Sequence, residues 1–324
     1  MNDQPISLET FFQKTTEDID KKIIEMITDE KILSVLKGGK RLRPLLASLA
    51  FKVCTGGEET SDKYQTFLEG SVGIELAHNA SLVHDDIIDG DLKRRGEPTF
   101  YIREGIDNAI LIGHKMLAIG FDLALSHGKK IAKLYVDTWN KTLSGQLKEV
   151  NFNVKEINNE VENMSMDSKF FRAYSEIIDL KTASLFASAC KAAAFEADAS
   201  ENLSQILEKY GREVGFAYQL ADDLVDLEKG EMIDSVVIPL LTRLEKKSKS
   251  ITNSSMKIRN LKRKLKKNLP EIKKLYLSEI KKHIKKAEDL SRLEIIPDNQ
   301  YKKFLGKAPT YIINKMLREI NIAL

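Results

Sequence analysis

Apolar positions set the frame of this chain. Ile110, Leu111, Met116, Leu117, Phe121 and Leu125 recur at three- and four-residue steps, and so do Leu185, Phe186, Ala189 and Ala193. That spacing keeps one side of a 3.6-residue helix apolar. No proline falls between Pro98 and Pro239. Proline breaks helix interiors, so this span can hold several long helices. Strand-like alternation is scarce, and no internal repeat stands out. The pattern predicts an all-α bundle of about ten or more helices. No linker composition divides the chain, so one domain is expected over residues 1–324.

Two apolar helical stretches end in acids. The segment ELAHNASLVHDDIIDGDLKRRGEPTF carries Asp85, Asp86 and Asp89, with Asp91 following. On a helix, Asp85 and Asp89 project from one face. Close carboxylates repel unless a positive charge sits between them. Mg²⁺ takes a few carboxylate oxygens and fills its other positions with water and substrate phosphates. Taken alone, such a cluster is as easily a solvated helix end. The spacing returns, however, in GREVGFAYQLADDLVDLEKGE at Asp222, Asp223 and Asp226. Two such clusters predict two helices that face each other across one cavity, with Mg²⁺ clamping a diphosphate between them.

Basic residues complete the candidate chemistry. Arg94 and Arg95 follow the first cluster and can hold phosphate oxygens bidentately. In KGGKRLRPLL, Gly38 and Gly39 precede Lys40, Arg41, Arg43 and Pro44. Proline suits a first helical turn, so Lys40 and Arg43 are expected at a helix N-terminus, where anions bind favourably. Lys181 sits among apolar residues and needs an anion if buried. His78 lies two turns before Asp85; it and His84 fit a packed core as well as a site. Tyr218 and Gln219 precede the second cluster, as core or as site residues.

Composition narrows the class. The chain has 324 residues, 42% hydrophobic and 31% charged, with a net charge of +3. That fits a soluble globular protein and implies no nucleic-acid partner. Its two cysteines, Cys54 and Cys190, form neither a disulfide framework nor a zinc spacing, which points to the cytoplasm. The N-terminal MNDQPISLETFF has no apolar core of a secretory signal. No apolar run approaches the roughly 20 residues that span a bilayer. A lysine-rich helical segment runs over about residues 246–286. It is a solvated helix face or a loop, or else a contact with an anionic membrane surface.

Together, GGKRLRP at 38–44, HNASLVHDDIIDGDLKRRGEPT at 78–99, GQ at 145–146, KT at 181–182 and GFAYQLADDLVD at 215–226 resemble the trans-isoprenyl diphosphate synthase (polyprenyl synthetase) family. The resemblance runs in order over roughly 35 to 240. It implies the isoprenoid synthase fold, with helices around a deep central cavity, a homodimer, and three Mg²⁺ ions per active site. By the family's pattern, Asp85, Asp89 and Asp222 bind metal, supported by Asp86, Asp223 and Asp226. Arg94, Lys181, Thr182 and Gln219 match contacts to an allylic diphosphate; Lys40, Arg43, His78 and Arg95 match the isopentenyl diphosphate site. The implied reaction joins isopentenyl diphosphate to an allylic diphosphate, head to tail.

Product length in the family depends on side-chain bulk just before the first cluster. Ala80 and Ser81 are small, which argues for a C20 or longer product, of geranylgeranyl type or beyond. Met116, Leu117 or Phe121 on the next helix are then expected to floor the tunnel. Two departures stand out. In DLEKGEMIDSVVIPLL, Ser235 and Val237 replace the expected lysine and threonine before Pro239, and Lys229 sits at a different offset. His114 stands where the family usually has an aspartate. The altered 227–239 stretch motivates an alternative, a non-catalytic or regulatory subunit of a prenyl diphosphate synthase. A terpene cyclase is disfavoured by the second DDxxD and by GGKRLRP.

Overall fold

The computed structural model describes residues 6–151, 169–230 and 254–324. Its helices are α1 (Leu8–Met26), α2 (Glu30–Leu36), α3 (Leu42–Thr55), α4 (Ser61–Asp89), α5 (Phe100–Glu104), α6 (Ile106–Ser126), α7 (Lys129–Val150), α8 (Lys169–Ile178), α9 (Ser184–Glu196), α10 (Glu201–Lys229), α11 (Ser254–Ser291) and α12 (Gln300–Leu317). A π-helical segment, Asp179–Ala183, joins α8 to α9. Most of the lysine-rich segment belongs to α11, and its first residues, 246–253, lie outside the described residues.

The chain divides into two compact units. The first contains residues 1–139, 185–211 and 290–308; the second contains 140–184, 212–289 and 309–324. In the first, α4 packs along α6. Leu46, Leu49, Phe51, Leu76, Met116, Phe186 and Leu207 are fully buried there. Each such side chain contributes about 1.5–3 kcal/mol of transfer free energy. Gly211 is forced by packing: a Cβ would lie 2.5 Å from the Phe186 carbonyl oxygen. In the second unit the core includes Val214, Ala217, Ala221, Leu224, Ile272, Ile280 and Ile313.

Local signals explain the ends of α4. Thr60 caps its first turn by accepting a hydrogen bond from the Lys63 amide, and Gly90 ends it in the left-handed conformation at φ 70°. A small hairpin follows, which the periodicity does not signal: β1 (Lys93–Arg94) pairs antiparallel with β2 (Glu97–Pro98). Its turn places both Arg95 (φ 54°) and Gly96 (φ 85°) at positive φ, the geometry of a tight two-residue hairpin.

One reading of the sequence is corrected. Helix α6 is long and apolar enough, by length and composition, to cross a membrane. His114, Lys115 and Asp122 interrupt its apolar run, which hides the average. One side of α6 is buried through Ala109, Ile112, Gly113, Met116, Gly120 and Ala124. Ile106, Ile110, Leu111, Phe121 and Leu125 remain exposed.

Candidate active site

The first carboxylate set sits in the last turns of α4, where no basic residue lies. The partial negative charge of a helix C-terminus adds to the acids there, so the local field calls for a cation. Asp89 is exposed, Asp85 half-buried and Asp86 buried. Burial raises the Asp86 carboxyl above its ordinary pKa, and Arg94 works against that rise. Arg94 Nε donates to Asp86 Oδ1 at 2.5 Å, and Nη2 to Asp91 Oδ2 at 3.2 Å. The hairpin therefore brings Arg94 back onto the acidic tip.

The basic motif forms a cluster around His78 in the same unit. Arg41, unassigned by the sequence reading, is its structural centre. It adopts φ 54° as the N-cap of α3 and is 6% exposed. Its Nε donates to Asp20 and its Nη1 to the buried Glu75, each at 2.8 Å. The Arg43 guanidinium lies 4.6 Å from the Phe186 ring centre, a cation–π arrangement. Arg95 Nη1 donates to the Lys37 carbonyl at 2.9 Å and Nη2 to Asn79 Oδ1 at 3.0 Å. Lys40 is exposed. His78 Nδ1 is buried and has no hydrogen-bond partner among the described residues. Burial holds the His78 pKa well below its ordinary value, and the charges of Arg43, Arg95, Arg94 and Arg41 push the same way. The imidazole is therefore neutral and keeps one N–H to offer.

The second set lies in the last turns of α10, in the second unit. Asp223 is buried, and burial pushes its carboxyl up to about 7. The charges of Asp222 and Asp226 add to the rise, while hydrogen bonds from Tyr174 and Gln219 oppose it. Tyr174 donates to Asp223 Oδ2, and Gln219 Nε2 donates to Asp223 Oδ1 at 2.9 Å. Thr182 Oγ1 in turn donates to Gln219 Oε1 at 2.7 Å. Lys181 Nζ pairs with Glu149 Oε2 at 2.5 Å, both partly exposed. Lys181 and Thr182 lie on the π-helical segment, a distortion often found at functional positions. Gly145 of the GQ pair explains how α7 approaches it: a Cβ would lie 2.9 Å from the Lys181 amide nitrogen. Tyr218 is half-buried.

Ala80 is fully buried, and Ser81 is partly exposed with its hydroxyl donating to the His78 carbonyl at 2.7 Å. Lys229 pairs with Glu319 at 2.7 Å. Residues 231–239 of the altered stretch lie outside the described residues. His114 packs edge-on to His84, ring centres 5.2 Å apart. Tyr174, Arg41 and Glu75 were missed. Tyr174 lies 49 residues from Asp223 and Glu75 lies 34 from Arg41, so none of them carries a local sequence signal.

Metal fits these donors in one particular way. Among the described residues, no group of three His, Cys, Asp or Glu side chains is placed to hold an ion alone. Mg²⁺ usually takes one or two carboxylates and completes its shell with water and phosphate oxygens. Each acidic tip meets that requirement.

Comparison with known proteins gives the family and the fold. The model of the family described as Polyprenyl synthetase matches residues 25–234. The geranylgeranyl diphosphate synthase of Methanosarcina mazei is 31% identical over 202 residues, covering 60% of this chain and 57% of that protein. The short chain isoprenyl diphosphate synthase of Methanothermobacter thermautotrophicus is 33% identical over 232 residues, 68% of this chain and 66% of that protein. The chain thus spans less than two thirds of the length of these relatives. A polyprenyl synthase from Caulobacter crescentus, solved with calcium and isoprenyl diphosphate, superposes with a TM-score of 0.73 at 22% identity, covering 96% of this chain and 98% of that one. The fold is the all-α isoprenoid synthase fold. The chain belongs to the polyprenyl synthetase family.

Proposed function

We propose that this protein is a Mg²⁺-dependent trans-prenyltransferase that condenses isopentenyl diphosphate with an allylic diphosphate, giving an all-trans product of C20 or longer. The observation that carries the reading is the pair of acidic helix ends: α4 and α10 each finish in carboxylates whose mutual repulsion a cation relieves. Asp85, Asp89 and Asp222 would hold the metal, three ions per site by the family's pattern, with Asp86, Asp223 and Asp226 supporting them. By the family's pattern both tips would serve one diphosphate. Bound there, the metal would neutralise charge building on the departing diphosphate.

The chain's own residues do the rest. Arg94 and Lys181 exchange their carboxylate partners, Asp86 and Glu149, for oxygens of the allylic diphosphate. Thr182 and Gln219, already hydrogen-bonded to each other, orient around the same group. Lys40, Arg43, His78 and Arg95 form the isopentenyl diphosphate cradle. A neutral His78 donates one hydrogen bond there without adding a further charge to a crowded arginine cluster. Water must be kept from the allylic cation that departure leaves behind. The new alkene forms by proton loss to the released diphosphate, so no dedicated side-chain base is needed.

The exposed apolar stripe of α6 supports a homodimer, because an apolar patch of this kind marks an interaction surface. The charge balance and the cysteine use support a cytoplasmic protein without a nucleic-acid partner. The lysine-rich part of α11 supports peripheral contact with anionic lipid, testable by vesicle sedimentation at low and high salt.

Incubation of the protein with Mg²⁺, labelled isopentenyl diphosphate and each allylic primer tests the reaction. Labelled product of C20 or longer is expected. No elongation with any primer would favour the non-catalytic subunit instead.

A further inference from the structure

The two acidic helix ends differ in where their cation comes from. The last turn of α4 holds no basic residue, and the hairpin folds Arg94 back onto it. The last turn of α10 carries its own, Lys229, and Gly230 ends that helix at φ 73°. Asp222, Asp226 and Lys229 stand at i, i+4 and i+7, so they share one face of α10. The Lys229 Cα lies about 4.5 Å beyond that of Asp226 along the axis. Helical side chains lean back over the turn before their own Cα. The long Lys229 stem can therefore swing over the acidic end, towards the phosphate oxygens that a metal ion at Asp222 would gather.

Lys273 is not placed for that role. It pairs at 2.7 Å with Glu228, which lies about 160° round the helix from Asp226. Sequence resemblance leads to a lysine shortly before Pro239, where this chain has Ser235. A cation from another position would make up for that change.

The present partner of Lys229 is one it can leave. Its Nζ lies 2.7 Å from Glu319 Oε2, with the two side chains 40% and 44% exposed. Water-exposed pairs of this kind contribute little to stability. Glu319 belongs to a short 3₁₀ turn, Arg318–Ile320, that follows α12. The Leu324 amide donates to Asn314 Oδ1 at 2.9 Å, so the chain after that turn is tied back to α12. Lys229, Glu319 and the second acidic set all lie in the second unit. A charge-assisted hydrogen bond to a phosphate is stronger than an exposed carboxylate pair.

Resting on the elongation reading above, we propose that Lys229 is a further diphosphate-binding residue at the second acidic end, and that it leaves Glu319 for the allylic diphosphate when that substrate binds. A purely structural Lys229 would do something else: it would offset the negative end of α10 and tie it to Glu319. Loss of either partner would then have the same effect.

Steady-state kinetics of wild type, Lys229→Ala, Lys229→Arg and Glu319→Gln separate the two roles, with farnesyl diphosphate varied at saturating isopentenyl diphosphate and Mg²⁺. Lys229→Ala should raise the KM for farnesyl diphosphate about tenfold or more and leave the KM for isopentenyl diphosphate unchanged. Lys229→Arg should recover most of that loss. Glu319→Gln should not raise the KM, because it removes only a competitor for Lys229. Melting temperatures of all four should agree within about 2 °C. An unchanged KM in Lys229→Ala, or equal effects of Lys229→Ala and Glu319→Gln, would overturn the proposal. Should the wild type elongate no primer, the reaction reading fails, and calorimetry with inorganic pyrophosphate and Mg²⁺ decides Lys229. Binding weakened by Lys229→Ala and not by Glu319→Gln would uphold the diphosphate contact. Equal binding by all three proteins, or none by the wild type, would overturn it.

Discussion

Tyr174 donates its phenolic hydrogen to Asp223, tying α8 to the acidic end of α10 within one unit. Tyr276 lies 3.4 Å from Tyr174, hydroxyl to hydroxyl, so the contact is doubly anchored. Burial pushes Asp223 towards its neutral form, with the charges of Asp222 and Asp226 adding to it, and Tyr174, Tyr276 and Gln219 fix where its oxygens point.

Tyr174→Phe should keep the fold and weaken the site. Partners that orient metal-holding groups typically contribute 10–100-fold in affinity or activity. We expect the Mg²⁺ concentration for half-maximal turnover to rise about tenfold or more. Titration of activity with Mg²⁺ checks this, and an unchanged midpoint would remove Tyr174 from the supporting shell.

Arg41 and Lys40 are neighbours with opposite expected behaviour. Arg41→Met leaves Glu75 buried without its cation and should cost about 3–5 kcal/mol in denaturant unfolding. Lys40→Ala removes an exposed charge, so stability should stay within about 0.5 kcal/mol. Its effect should appear as a higher KM for isopentenyl diphosphate. Equal destabilisation by the two changes would contradict the assignment.

His127 gives a pH signature. Glu196 raises its pKa above the ordinary value, with Glu69 adding to the shift. The stabilisation from the charged pair is fully present below the unfolded value of about 6.5 and fades as pH rises through the higher folded value. Unfolding free energies of wild type and His127→Gln should therefore differ more at pH 5.5 than at pH 9. A difference that grows with pH would contradict the pairing.

The sequence made the helical class legible because apolar spacing and the proline-free span act locally. It also showed which helix ends carry acids, since DDxxD spacing projects carboxylates from one face. What it hid depends on distance along the chain. Glu75 meets Arg41 from 34 residues away, and Tyr174 meets Asp223 from 49. Arg41, in the middle of a phosphate-like motif, is committed to holding α3 against α4. The hairpin at Arg95 rests on two positive φ values that no periodicity announces. His127, at the end of α6, likewise meets Glu196 and Glu69 from distant stretches of the chain, through residues that look unremarkable singly.

The central claim is that the acidic ends of α4 and α10 serve a single diphosphate through Mg²⁺. Calorimetric titration of farnesyl diphosphate into wild type, Asp85→Ala and Asp222→Ala, with and without Mg²⁺, measures it most directly. Binding should require Mg²⁺ in the wild type, and either substitution alone should abolish the Mg²⁺-dependent part. Wild-type, Mg²⁺-dependent binding in either variant would show that the two ends do not share one ligand.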